Sequence, residues 1–318
     1  MEKTLVQNIG LLCTPLGSSV HAGEMQGQMG KIPEACVLME DGIITYAGSQ
    51  ADFPMEKAQG AQVIDAKGSL VTPGLIDAHT HLVFGGWRQH EIPLKLAGAG
   101  YLDILRMGGG ILSTVRHTRE ASEEELLQRS EGFLNEMLSM GVTSCEIKSG
   151  YGLDLENELK QLRVIKKLQE THPMDIDATF LGAHAVPEEY KDDPDGFVDL
   201  LVEKILPAVA EEKLARCCDV FCETGAFDVP QSRKVLMAGK ALGLVPRIHA
   251  DEIDAIGGAE LSAEVGALSA EHLIASNEEG MQAMAKGGVI ADLLPATSFY
   301  LDKTFAPARR MVELGIPV

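Results

Sequence analysis

The chain has 318 residues, long enough for one large domain or two smaller ones, and its 45% hydrophobic and 23% charged residues are ordinary for a soluble globular protein. A formal charge of −20 and a pI near 4.8 argue against nucleic acid or an anionic membrane as a partner. No run of 18 apolar residues predicts a transmembrane helix, and an anionic substrate would need a local cation to offset the field.

The first ten residues, MEKTLVQNIG, lack the basic start and long apolar core of a signal peptide. Six cysteines lie scattered at positions 13, 36, 145, 217, 218 and 222. CCDVFC alternates like a buried strand, so the cysteines read as free thiols of a reducing cytoplasm. Residues 1–72 are β-rich. In ACVLMEDGIITYAG two apolar runs flank Asp41-Gly42, a hairpin signal because a type I′ turn needs positive φ. AQVIDAKGSLVTPG repeats the pattern around Lys67-Gly68.

From residue 73 to 318 apolar strands alternate with helical stretches, the signature of parallel βα units. A helix is predicted over 123–140, opened by a Ser122/Glu125 capping box, faced by Leu126, Leu127, Leu134, Met137 and Leu138, and stopped at Gly141. Seven strands are predicted: GLIDAHTHL, VTSCEIK, DATFLGAHAV, CDVFCE, VPRIHADE, ALSAEHL and GGVIADLLP. A helix over APARRMVELG follows, and the chain stops at IPV. The pattern is α/β, a (β/α)8 TIM-like barrel with seven of its eight units, and such barrels do their chemistry at the strands' C-terminal ends.

His79, His81, His184, His249 and His272 all fall at such ends and are expected to converge on one mouth. His79 and His81 sit two apart in a predicted strand, so their rings share a face and can grip one metal ion. Arg88 follows Gly85-Gly86, which lets its loop fold back, and its planar fork suits a carboxylate. Tyr151 lies in KSGYG, and Glu252 lies three residues past His249 on the exiting loop. Each has a bland alternative: a surface ion pair for Arg88, a core aromatic for Tyr151, a helix cap for Glu252, satisfied core histidines for His184 and His272. His90 and His117 read as structural or solvated, and His21 and His172 as solvent-facing. Gly108-Gly109-Gly110 has no preceding strand and no following Lys-Ser/Thr, so a flexible βα loop fits better than a phosphate loop.

GLIDAHTHLVFGGWRQHE, EIKSGYGL, TFLGAHAVP, DVFCETG, IHADE, AEHL and LLPATSFYL together resemble the imidazolonepropionases, a family of the metal-dependent amidohydrolase superfamily. The resemblance runs from the N-terminal strands to the last residue. It implies a cytoplasmic enzyme of histidine degradation that hydrolyses 4-imidazolone-5-propanoate to N-formimino-L-glutamate. It implies one zinc or iron ion per chain on His79, His81 and His249. Arg88, Tyr151, His184 and Glu252 would bind the substrate's propanoate and ring, with Glu252 and His272 catalytic beside the activated water. Some superfamily members carboxylate a lysine on a middle strand to bridge two metals. Lys148 falls on the second strand, so a single ion is expected.

The family pattern continues beyond Val318 into a strand with a metal-ligating Asp, then into strands that complete a small composite β-sandwich with the N-terminal domain. The chain therefore reads as a truncated form with an incomplete barrel and impaired activity. The alternatives are another cyclic amidohydrolase or deaminase, or a non-catalytic form with a vestigial metal site. The oligomeric state is open, a homodimer among the options.

Overall fold

β2 (Gly30–Glu40) and β3 (Ile43–Ser49) pair antiparallel with Glu40 opposite Ile43, so Asp41 and Gly42 alone make the turn, at φ of 48° and 81°. That is the backbone a two-residue hairpin demands. The structure, a computed structural model, describes residues 2–98, 109–301 and 304–318. Its contacts divide the chain into two units, with the division between Gly74 and Leu75.

In the first unit β1 (Lys3–Thr14) lies beside β2, in a mixed sheet of order β3-β2-β1-β4. The expectation for Lys67-Gly68 is corrected here. β4 (Gln62–Asp65) and β5 (Leu70–Val71) do not form a hairpin; both run parallel to β1, one along Thr4–Gln7 and the other along Leu11–Leu12. The cause is a bulge in β1 between Val6 and Ile9, where Asn8 has φ 54°. The bulge steps the edge of β1 sideways, and Lys67 and Gly68 make the matching step, the Gly68 N–H donating to the Asn8 carbonyl at 2.7 Å. Strand alternation places Leu5, Cys36, Leu38 and Phe53 in one apolar cluster and Ile9, Leu12, Ala35 and Val37 in another.

The second unit is a parallel sheet built from all seven expected strand regions. Its strands are β6 (Leu75–Asp77), β7 (Val142–Lys148), β8 (Asp175–Ala183), β9 (Cys217–Cys222), β10 (Val245–Pro246), β11 (Ile248–Ala250), β12 (Ser269–His272) and β13 (Ile290–Asp292). The order is β13-β12-β11-β9-β8-β7-β6, with β10 also beside β9. The fifth region, read as one strand, is two short ones, β10 ending at Pro246 and β11 beginning at Ile248. Five steps separate β6 from β12, about 24 Å in a flat sheet at the usual strand spacing. Yet the His79 ring, two residues past β6, lies 5.1 Å from the ring of His272 on β12. The sheet is therefore curled, and the fold is an α/β TIM-like one. Among the described residues no ladder joins β6 to β13.

Helices pack outside the strands. The helix Glu123–Ser139 carries the expected capping box, with Leu126 and Leu134 buried and Leu127, Met137 and Leu138 half-buried. A short helix, Ala308–Glu313, precedes the last residues. Gly108 lies outside the described residues. Gly109 and Gly110 are buried, and Gly110 opens the helix Ile111–Glu120 while its N–H donates to Glu91 at 2.7 Å. Among the described residues no helix is long and apolar enough to cross a membrane.

Candidate metal and substrate site

The first strand is shorter than the sequence pattern implies. β6 ends at Asp77, so His79 and His81 lie on an irregular segment beyond it. They still project together, because Thr80 between them is tied to β7. Its hydroxyl donates to the Glu146 carbonyl at 2.7 Å, and the Lys148 N–H donates to the Thr80 carbonyl at 3.0 Å. Strand-like alternation thus survives on one-sided support. The loop then turns against the helix Ile111–Glu120, where the Gly85 N–H donates to the Thr118 hydroxyl at 2.8 Å. A Cβ on Gly85 would lie 2.3 Å from the His117 carbonyl oxygen, so only glycine permits this approach.

Five of the nine histidines gather at one place. The Nε2 atoms of His79 and His81 are 3.2 Å apart, and those of His81 and His249 are 3.3 Å apart. His272 sits with its ring 5.1 Å from those of His79 and His249, and His184 stacks on His81 at 4.7 Å. Burial depresses the pKa of His81, His184, His249 and His272, His184 to about 3, so these imidazoles are neutral at pH 7. Neutral imidazoles are the form that ligates metal.

The geometry fits an ion. Nitrogen ligands at about 2.0–2.1 Å in a tetrahedral zinc shell lie about 3.3–3.4 Å from one another, close to the two Nε2 separations. The opposite nitrogens of His79, His81, His249 and His272, their Nδ1 atoms, are buried without an aligned hydrogen bond. Ligand atoms of His79, His249 and His272, and of His81, His184 and His249, also fall within 4.8 Å of one another. Such a cluster is suited to hold a metal ion.

The remaining predicted residues flank the imidazoles. Glu252 Oε1 lies 3.7 Å from His272 Nδ1, and burial, with the Glu223 carboxylate adding repulsion, pushes the Glu252 pKa up to about 7. His272 itself has φ 70°, a backbone strain of the kind found where structure fixes a functional side chain. The Tyr151 ring is 5.8 Å from His81 and 5.3 Å from His184. Burial raises its phenol pKa, opposed by the charge of Arg88, which is itself half-buried. His184 is held by a 3.1 Å contact between Nδ1 and the Gly150 carbonyl. Outside this group His90 and His117 are exposed, whereas His21 and His172 are half-buried rather than solvent-facing, His172 lying against Asn135 and the Met174 N–H.

A second layer of charge lies against the imidazoles, and sequence reading gave it no role. The Lys148 ammonium is fully buried and reaches Glu146 at 2.7 Å, Asp219 at 2.8 Å and Glu271 at 3.0 Å. Arg247 adds contacts to Glu271 at 2.9 Å, to Glu146 at 3.6 Å and to Asp292 at 3.5 Å. Nearby carboxylates hold the Lys148 pKa above its usual range despite burial, so it stays protonated. Carboxylation needs the neutral amine, the form this cluster disfavours. A signal for this layer was present in the strands: Glu146, Lys148, Asp219, Arg247 and Glu271 are charges inside otherwise apolar runs.

Comparison with known proteins follows the same outline. A family model described as an amidohydrolase family matches residues 62–100. The imidazolonepropionase of Alkaliphilus metalliredigens is 51% identical over 321 residues, covering 100% of this chain and 76% of the relative. That of Geobacillus kaustophilus is 50% identical with the same coverage, and that of Porphyromonas gingivalis 47% identical over 98% of this chain and 74% of the relative. Among solved structures, guanine deaminase from C. acetobutylicum superposes with a TM-score of 0.66 at 14% identity, covering 100% of this chain and 73% of that one. E. coli guanine deaminase gives 0.69 at 12% identity over 99% and 72%. At such identities the superpositions speak for the fold alone.

Proposed function

Because the chain belongs to the imidazolonepropionase family of amidohydrolases, we propose that it hydrolyses the ring C–N bond of 4-imidazolone-5-propanoate, giving N-formimino-L-glutamate, with one zinc or iron ion held by His79, His81 and His249. The observation that carries this reading is the approach of three imidazoles through their Nε2 atoms, at 3.2 and 3.3 Å. Bound there, the ion supplies a Lewis acid for the ring carbonyl and lowers the pKa of water toward about 7.

The chain's own residues supply the rest. Water adds to the ring carbonyl carbon, the C–N bond breaks, and the ring nitrogen leaves with a proton. Glu252, with its pKa near 7, is poised to take the proton from the attacking water and return it to that nitrogen. His272, 3.7 Å from Glu252, is the residue assigned to stabilise the negative charge that develops on the carbonyl oxygen. His184 donates through Nδ1 to Gly150, which leaves Nε2 to accept from the substrate ring. Arg88 and Tyr151 bind the propanoate carboxylate, so the local cation required by a chain of charge −20 is Arg88.

Histidine degradation in the cytoplasm is the corresponding cellular role. The test is direct. The zinc- or iron-loaded chain is incubated with 4-imidazolone-5-propanoate, and N-formimino-L-glutamate is measured. Formation of product that a chelator abolishes and added metal restores is the expected result. A chain that binds metal yet turns over guanine and not the imidazolone would overturn the reading.

A further inference from the structure

The ion cluster built on Lys148 takes no part in the chemistry above, yet its carboxylates touch the metal-facing imidazoles from behind. Glu271 Oε2 lies 3.0 Å from Lys148 Nζ, 2.9 Å from His79 Nδ1 and 3.2 Å from His249 Nδ1. Asp219 Oδ2 lies 2.8 Å from the same ammonium and 3.0 Å from His249 Nδ1. None of the approaches to the imidazoles is aligned as a hydrogen bond, so each acts on its ring as a buried charge. The backbone fixes Asp219 further, since its Oδ1 accepts the His249 and Val220 N–H groups at 3.2 and 2.7 Å.

We propose that Asp219 and Glu271, anchored by Lys148, are positioning residues that set the tautomer and orientation of His79 and His249. A carboxylate beside Nδ1 favours the proton on that nitrogen. The lone pair then lies on Nε2, the atom facing His81. Carboxylates behind metal-ligating imidazoles work in this way, and changing such partners costs about 10–100-fold in metal affinity. The ammonium holds both carboxylates in place on the Nδ1 side of the rings. The inference rests on the metal assignment of the proposed function but not on its substrate.

The experiment measures metal binding. The parent chain and the isosteric variants Glu271→Gln and Asp219→Asn are stripped of metal, checked by circular dichroism and thermal unfolding, and titrated with zinc against a chromophoric chelator. Each folded variant is expected to bind zinc about 10–100-fold more weakly, and its cobalt(II) form to show a shifted visible absorption spectrum, which a purely structural role would not produce. Folded variants that bind zinc within twofold of the parent, with an unchanged cobalt spectrum, overturn the proposal. Failure of both variants to fold even with zinc present also overturns it, because the carboxylates are then structural. A parent chain that binds zinc but leaves imidazolonepropanoate untouched refutes the functional reading and leaves this inference standing.

Discussion

Two clusters of titratable side chains lie against one another inside the curled sheet, and burial acts on them in opposite ways. In the imidazole cluster, burial suppresses charge at His81, His184, His249 and His272, whose pKa values it lowers. In the cluster of Lys148, Arg247, Asp219 and Glu271 the charges persist, because each cation touches two or more carboxylates. Burial alone therefore does not decide protonation: a group's ordinary pKa and the charges around it share the outcome. A cluster whose Nε2 atoms converge is suited to take up a cation. A saturated ion cluster is suited to hold its neighbours still.

The largest break in that contrast is expected at His249, which belongs to the first cluster and touches the second. His249→Asn should lower bound metal measured by elemental analysis and reduce turnover by about 10⁴-fold or more, as water returns from a pKa near 7 toward 15.7. Next comes Glu252→Gln, expected to lower kcat by about 10²–10⁴-fold while making the chain more stable. Its carboxyl titrates near 4.5 when unfolded and near 7 in the fold. The fold therefore holds this proton more tightly and loses stability as pH rises through that window, by up to about 3 kcal/mol. Thermal unfolding at pH 8 should show the gain in Glu252→Gln, and it should vanish at pH 4. In the parent, kcat/KM should fall as pH drops below about 7.

The second cluster should respond with the opposite sign. Arg247→Met leaves Glu271 with less compensation and is expected to cost about 3–5 kcal/mol of stability, read by urea unfolding. A smaller effect is expected for Arg88→Met: KM rises about 10–100-fold with kcat changed little, because one charged contact to substrate is lost. The smallest is Ser122→Ala, far from both clusters, which removes a helix cap and should cost about 1 kcal/mol with turnover unchanged.

The strand regions and the histidines at their ends were legible because each strand is a short apolar run closed by turn residues, and position at a strand end is a local property. The helix from Glu123 was legible for the same reason, its capping box being four residues long. The turn at Lys67-Gly68 was misread because the same left-handed pair that makes a hairpin also makes a step beside a bulge. Only the register of β1 distinguishes them. The ion cluster went unassigned because Glu146, Lys148, Asp219, Arg247 and Glu271 are spread over more than 120 positions, and nothing local to any of them names its partner.

The sequence by itself determined the family, the alternation of strands and helices, and which imidazoles stand at strand ends, since these are carried by motifs of a few adjacent residues. Only the tertiary structure decided that His79 stays beside His81 beyond the end of its strand, through the hold of β7 on Thr80. It also decided that Lys148 is an anchored ammonium and that Glu252 titrates near 7. Those properties arise from distances between segments remote in the chain, and Coulomb and desolvation energies depend on such distances rather than on sequence separation.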